Sequence, residues 1–387
     1  MENSSNLNIT EEMTETLNGL SNVARLKVVG VGGAGGNAVN DMLESGITGV
    51  EFIAINTDQQ DLNRSRTETK VLLGKGTGAG AIPEKGRVAA KESEEKIKKV
   101  LEGADMLFIT AGMGGGTGTG ASPVVAEIAK AMGILTVAVV SKPFDFEGPF
   151  KRKNADEGIE NLKKYVDTLI VIPNQKLYKL PNVNISLMNA FKEANSVLRV
   201  GIKGISDLIT KQGFVNLDFA DVKTVMKDSG IAMLGFGEAN GDGRAKAATE
   251  QALNSPLLEK SIEGARKILL NITSGEDMGL DEVTEVSETI YRKTGNAEAT
   301  LIWGAILEKD ENDRHGETQG SFDKPKGYFR VSLIATDFSD GNGENEVKPE
   351  DKSFNPREET RVELKEPEKK RESGQEEYVV PSFFEEI

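Results

Sequence analysis

Two glycine-rich segments constrain this chain more than any other feature, because each lies between an apolar run and a helical pattern. In LKVVGVGGAGGNAVNDMLESG, a short apolar strand ends in glycines and passes into helical spacing. In ADMLFITAGMGGGTGTGASPVVAEIAKAMG the same order recurs, and ASPVVAEIAKAMG reads as a helix with Pro123 near its first turn. Missing Cβ atoms let the backbone come close to an anion, and free N–H groups at a helix start point toward it. Gly30, Gly32 and Gly35 satisfy the G-x-G-x-x-G pattern, which alone leaves a dinucleotide, a mononucleotide or a tight turn open. The second cluster, Gly112 to Gly120, decides more. Glycines that served only helix–sheet packing would not need its threonines, and two such loops on one parallel sheet would both sit at the strands' carboxyl ends, where ligands of these folds bind. No G-x-x-x-x-G-K-[ST] occurs, so neither is a standard P-loop.

The strands GVEFIAINTD, KVLLG, ILTVAVVSKP and TLIVIPN are apolar almost throughout and alternate with helical patterns, one of them EKGRVAAKESEEKIKKVLEGA. Such runs predict a parallel sheet covered on both faces. A long helical pattern follows over about 185–210. After it, GARKILLNITSG, ATLIWGAILE and YFRVSLIATDF read as strands of a second, smaller α/β unit. The polar stretch around His315 is expected as an exposed loop in a hairpin-like connection between the last two. His315 is expected to be solvated, Trp303 to be core, and the charged face of residues 92–99 to meet solvent. From about residue 339 the chain is dense in mixed charges and predicts a disordered linker, whereas its end, EYVVPSFFEEI, regains apolar character.

The 387 residues carry 47 Lys plus Arg and 62 Asp plus Glu, a formal charge of −15, which argues against nucleic acid as the main partner. The absence of cysteine removes disulfides, thiolate zinc sites and Cys nucleophiles. The acidic opening MENSSNLNITEEMTETLNGL lacks the basic and apolar regions of an export signal. The longest apolar stretch, near 134–140, is far short of the ~20 residues that span a bilayer. A cytoplasmic protein without membrane insertion is expected.

Asn216-Leu217-Asp218-Phe219-Ala220-Asp221 reads, by itself, as a helix N-cap with acids in the first turn. Asp218 and Asp221 are three apart and share a helix face. Two carboxylates permanently beside a triphosphate would repel it, unless they arrive from another copy on assembly.

GGGTGTG together with NLDFADVKTVM resembles the signatures of FtsZ, the bacterial tubulin-like division GTPases, and the resemblance covers about 25–338 and the two terminal segments. It implies an α/β, tubulin-like fold: a flexible arm (1–24), a Rossmann-type GTP-binding domain (25–184), a central helix (185–212), a second domain (213–338), a disordered linker (339–376) and a docking peptide (377–387). GTP would be the substrate and Mg²⁺ would balance its phosphates, with metal ligands unknown. The phosphates fall to Gly32, Gly33, Ala34, Gly35, Gly36 and Asn37, and to Gly114, Gly115, Gly116, Thr117, Gly118, Thr119 and Gly120. Asn56, Thr57 and Asp58 match a ribose and phosphate loop, and Ala79, Gly80 and Ala81 a loop that senses the γ-phosphate. Pro143, Phe144, Glu147 and Lys151 match a ribose-side loop, where the family usually has Arg instead of Lys151 and Arg152 stands next door. Asn174 would touch the base, Phe191 stack on guanine, and Asn195 accept guanine's N–H donors. Asp218 and Asp221 of the next subunit, with Asn216 nearby, would orient the attacking water.

The same resemblance implies head-to-tail homopolymers at the mid-cell division ring. Membrane-tethering and regulatory division proteins would bind through 377–387, mainly by apolar side chains such as Tyr378, Phe383 and Phe384. Two readings from other classes are an NAD-linked Rossmann oxidoreductase, which leaves the second loop idle and lacks a proton-transfer His or Cys, and a non-hydrolysing scaffold.

Overall fold

Continuous apolar runs have no solvent face, and they become strands buried from both sides. The chain alternates β1 (Leu26–Val31), α1 (Gly32–Glu44), β2 (Val50–Asn56), α2 (Gln59–Arg64), β3 (Thr69–Leu72), α3 (Pro83–Glu92), α4 (Glu94–Leu101), β4 (Met106–Gly112), α5 (Thr117–Ala131), β5 (Leu135–Lys142), α6 (Pro149–Lys163) and β6 (Thr168–Pro173). The six strands are parallel in the order β3-β2-β1-β4-β5-β6. Alternate residues feed two cores. Val28, Phe108, Val137 and Val139 pack on one face with α1, and Val29, Ile109, Ala138 and Val140 on the other with α4 and α5. The computed structural model describes residues 24–179, 186, 189–211, 213–255, 257–258, 261–307 and 327–338. Residues 1–23 of the expected arm, the linker 339–376, the docking peptide 377–387 and His315 lie outside them.

The central helix, α7, covers Ala190–Thr210, so it starts later than the pattern from 185 predicts. Its 21 residues span about 31 Å at 1.5 Å per residue. Phe191, at its start, contacts Phe144 just beyond the carboxyl end of β5. Thr210, at its end, lies where a Cβ on Gly49, just before β2, would come within 2.9 Å. The helix therefore runs from the carboxyl ends of the parallel strands to their amino ends.

Beyond it come α8 (Phe219–Met226), β7 (Gly230–Asn240), α9 (Arg244–Leu253), β8 (Ala265–Ser274), α10 (Leu280–Thr294), β9 (Thr300–Leu307) and β10 (Tyr328–Phe338). Strand β7, unread in the sequence because glycines interrupt its apolar pattern, pairs in parallel with β6 from Thr168↔Gly230 to Ile170↔Ala232 and carries the first sheet into the second. The continuation is β7-β10-β8-β9.

Three expectations are corrected. The connection between β9 and β10 is not hairpin-like: β9 lies parallel to β8, whereas β10 is antiparallel to both β7 and β8. An eleven-residue, largely buried strand has backbone groups to satisfy along both edges, and the central position does so. The single helix read over EKGRVAAKESEEKIKKVLEGA is two, interrupted at buried Ser93, whose hydroxyl accepts from Gly74 N–H at 3.5 Å. Pro123 is not in a first turn, because α5 begins at Thr117 and holds it in its interior. Trp303, expected in the core, is only half-buried, at the edge of a third core formed by Ile268, Leu270, Phe329 and Val331, and residues 92, 95, 96 and 99 are exposed as expected.

Candidate functional site

Both glycine segments continue directly into helix, and their starts are alike. Neither α1 nor α5 has a side-chain cap, and neither carries an acid in its first turn. By contrast α2 and α8 are capped by Asp58 and Asp218. Two uncapped helix starts therefore present free N–H groups and partial positive charge at the carboxyl ends of β1 and β4. They touch each other: a Cβ on Gly32, whose φ is +74°, would lie 2.9 Å from Gly118 N. Gly114, at φ +108°, makes the turn out of β4, and Thr119 Oγ1 accepts its N–H at 2.8 Å.

The glycines divide into two kinds. A Cβ on Gly30 would meet Gly35 O at 2.4 Å, one on Gly35 Thr110 O at 2.4 Å, and one on Gly118 Gly112 O at 2.6 Å. Gly116 would meet the Ala79 Cβ at 2.6 Å, and Gly120 the Pro83 O at 1.8 Å. These glycines let helices press onto strands and onto each other. Packing thus accounts for much of the second cluster, including buried Thr119, more than its threonines alone predict. Gly36 and Gly115 instead face open space, and Gly33, Ala34 and Asn37 are exposed. The open set is the surface a ligand can reach.

Other elements close round this surface. Thr57 Oγ1 and Thr117 Oγ1 are 2.6 Å apart, joining the end of β2 to the start of α5. Asn56 donates to Asp61 at 3.3 Å and accepts from Asp58 N–H at 3.2 Å. In the loop 79–81, Ala79 is buried, while Gly80 and Ala81 are exposed with φ near +60°. Asn154 ties this loop to the second cluster, lying 3.5 Å from Ala81 O and 3.4 Å from Gly114 O. Sequence reading missed Asn154; its position three residues after Lys151 on one helix, α6, is the signal that could have found it.

Beyond β5, Pro143 leads into a 3₁₀ turn in which Glu147 accepts from Phe144 N–H at 3.0 Å and pairs with Lys151 at 2.9 Å. A Cβ on Gly114 would lie 2.8 Å from Lys151 O, so Lys151 stands against the second cluster. Arg152 points elsewhere, paired with exposed Asp145 at 2.7 Å. Phe144 is buried and stacks on Phe146 at 5.2 Å. Half-exposed Phe191 meets both edge-on, at 5.8 and 6.2 Å. Asn174 is buried beyond β6, and its Oδ1 has no hydrogen-bond partner among the described residues, leaving an acceptor among these elements unanswered. Asn195 sits one turn along α7 from Phe191.

Asp218, Asp221 and Asn216 are not brought to this end. Thr168, the first residue of β6, donates its hydroxyl to Met226 O at the end of α8, and Asp167 O accepts Gly230 N–H at 2.9 Å. The acids thus belong to the amino ends of the strands, across the length of α7. There they form a capping box: Asp218 accepts from Asp221 N–H at 2.8 Å, and Asp221 from Asp218 N–H at 3.2 Å. Asn216 accepts from Gly213 N–H at 2.6 Å. At the glycine end, Asp58, Asp61 and Glu147 are already engaged by a cap, an amide and a lysine. That end gathers uncapped backbone N–H groups, paired hydroxyls and an aromatic ring, whereas the Asp218–Asp221 pair stands at the opposite end of α7.

Residues 25–182 match the Tubulin/FtsZ family, GTPase domain, and residues 230–315 match the FtsZ family, C-terminal domain. Among solved structures, an empty FtsZ dimer from M. jannaschii is 46% identical, with 85% of this chain and 92% of that one covered and a TM-score of 0.74. A point mutant of FtsZ from the same organism is also 46% identical, over 85% and 95% of the chains, with a TM-score of 0.76. A GTPγS-bound protofilament of CetZ2 from Haloferax volcanii is 20% identical over 80% and 92%, with a TM-score of 0.67, a likeness of fold.

Proposed function

The chain belongs to the FtsZ family of GTPases, and from that premise we propose that it hydrolyses GTP where two copies meet head to tail in a filament. One observation carries the reading: the glycine end and the acidic end are separated by the roughly 31 Å of α7. No side chain bridges such a span, so Asp218 and Asp221 have no route to a triphosphate held in their own chain. A second copy stacked in the same orientation presents them to it. Such a contact does not close on itself, and repetition gives a filament. Phe214, 74% exposed and two residues before Asn216, gives the acidic end an apolar contact as well.

In this reading the N–H groups of α1 and α5 hold the phosphates, and Thr57, Thr117, Lys151 and Asn154 keep the surrounding loops together. Phe191, Asn174 and Asn195 take the base. The capping box uses one oxygen of each acid, Asp218 Oδ1 and Asp221 Oδ2. The remaining carboxylate oxygens face solvent until the neighbour's nucleotide arrives, and there they accept a proton from, and orient, the attacking water. Separation until assembly also spares the empty site the repulsion of two carboxylates.

No group of three or more His, Cys, Asp or Glu among the described residues would hold a metal. The described residues offer no such cage, and Mg²⁺ would take its oxygens mainly from the phosphates and water, as this ion commonly does. Bound there, it would neutralise phosphate charge.

We extend the reading to division: a cytoplasmic filament at mid-cell, docked through 377–387 to membrane-tethering and regulatory division proteins. No helix among the described residues is long and apolar enough to cross a membrane, which fits docking through other proteins.

Turnover of GTP per chain, measured over a dilution series, is expected to show a threshold below which it nearly vanishes. Constant turnover per chain down to the most dilute sample would overturn the shared site.

A further inference from the structure

With 8 residues, α8 makes about two turns, too short to hold its own place, so whatever fixes α8 also fixes the acids at its start. Val222, Val225 and Met226 bury its inner face in the core that holds Ile170 of β6, Leu269 of β8 and Ile334 of β10. Apolar burial is non-directional. It sets how deep a short helix lies, while hydrogen bonds at the two ends set its axis.

The start is held through the loop before it. Phe214 and Val215 both donate their N–H to Ala305 O of β9, at 2.8 and 3.2 Å, and Ala305 N–H returns a bond to Val215 O at 3.1 Å. The end is held by hydroxyls. Thr168 donates to Met226 O, and Thr336 of β10 donates to Val225 O at 3.2 Å, with Lys267 O at 3.4 Å as its other acceptor. Ser229 also donates to Val225 O, but it belongs to the turn after α8 and travels with it. Thr168 and Thr336 do not travel with it. One comes from the first sheet and one from the second, both are fully buried, and they reach consecutive carbonyls that the helix leaves open at its end. Strand β6 has no need of a hydroxyl. Thr168 opens an otherwise apolar TLIVIP, where valine has the same shape and a like preference for strands. The polar atom that Thr168 carries inside finds its partner on α8.

We propose that Thr168 is a positioning residue for the shared site, with Thr336 as its counterpart: their hydroxyls fix the axis of α8 and so aim Asp218 and Asp221 at the neighbour's nucleotide. The proposal rests on the reading of those acids as the groups that direct water in the next copy's pocket. Such groups must be held to about 0.5 Å and 10–20°. An error of about 1 Å can cost roughly 100-fold in rate. A helix pinned only at its start, by the loop on β9, turns its carboxylates with every tilt.

The experiment isolates acid donation. Each full-length test chain is co-assembled as a minor fraction in an excess of Asp221→Ala, and the added phosphate release is divided by the amount of test chain that sediments with the filaments. There the test chain's acids meet an intact neighbouring pocket, while its own GTP faces a neighbour without Asp221. Thr168→Val removes the hydroxyl and keeps the shape; Thr168→Ser keeps the hydroxyl. Thr168→Val is expected to bind GTP as the wild-type chain does and to donate about ten- to a hundredfold less turnover. Thr168→Ser is expected to stay within about threefold of wild type, a rescue that lost stability alone does not explain. Full donation by Thr168→Val overturns the positioning role, and so does a loss in Thr168→Ser as large as in Thr168→Val. A wild-type chain that sediments with the filaments yet adds no turnover overturns the shared site beneath the proposal. Should Thr168→Val not fold, Thr336→Val is read in the same way: donation lowered severalfold with GTP binding kept supports the clasp, and full donation refutes it.

Discussion

Asp221→Ala is expected to bind GTP and still assemble, yet to lose turnover by about 10² to 10⁴-fold, the usual worth of a positioned acid or base. Asp221 lies at the amino ends of the parallel strands, so its removal leaves the phosphate loops of its own chain untouched. Its Oδ2 accepts from the Asp218 N–H at 3.2 Å, so the substitution also removes half of the capping box of α8, costing about 1 kcal/mol of local stability. Asp221→Asn keeps the size and a hydrogen-bonding oxygen but cannot take a proton, and it separates the two effects. Turnover assays, filament sedimentation and nucleotide binding together give the answer. Near-normal turnover in both variants would remove Asp221 from the chemistry, whereas lost GTP binding would place it in its own chain's site. A mixture of Asp221→Ala with a chain unable to bind GTP should regain turnover, since some junctions then pair intact acids with an intact pocket.

The second large effect is expected at Gly120. A methyl group there would lie 1.8 Å from Pro83 O and 2.8 Å from Arg87 N, both backbone atoms of α3, so α3 and α5 would have to part. Overpacking of this kind costs about 3 kcal/mol, or a melting temperature lower by roughly 5 °C for a body of this size. Gly36→Ala is the counterpart. It sits within α1 with nothing inside 4 Å of the added atom, so it should leave the fold unharmed or stabilise it by up to about 1 kcal/mol. It should nevertheless weaken GTP binding, because its methyl group projects into the open surface. Melting curves without nucleotide, paired with GTP titrations, distinguish the two kinds of glycine. Equal melting losses in both variants, or full GTP affinity in Gly36→Ala, would contradict the division.

The contrast shows what local sequence encodes. Strand β10 was legible residue for residue, because an apolar run bounded by polar text reports burial directly. The cap at Asp218 was legible because it is a contact three residues long. Neighbour identity is another matter. Nothing in YFRVSLIATDF says that it lies between β7 and β8 rather than beside β9, since strand order is decided by distant pairings. The glycine clusters announced an anion site, yet only the fold tells Gly120, pressed on Pro83, from Gly36, facing outward. Asn154 was missed for the same reason: it gains its partners from elements far away in the chain. Lys151 stands against the second cluster, with Arg152 turned to Asp145, and neither side chain's direction can be read from the residues beside it.

The placement of acids and glycine loops at opposite ends of one long helix has an arithmetic consequence. On the proposed shared site, a row of copies would have one fewer junction than bound nucleotides. The outermost chain at one tip would keep its GTP uncleaved, and its counterpart at the other tip would carry acids with nothing to act on. A pair would cleave at half its sites and a long row at nearly all of them, so the rate per chain would measure row length, and the two tips of every row would be chemically different.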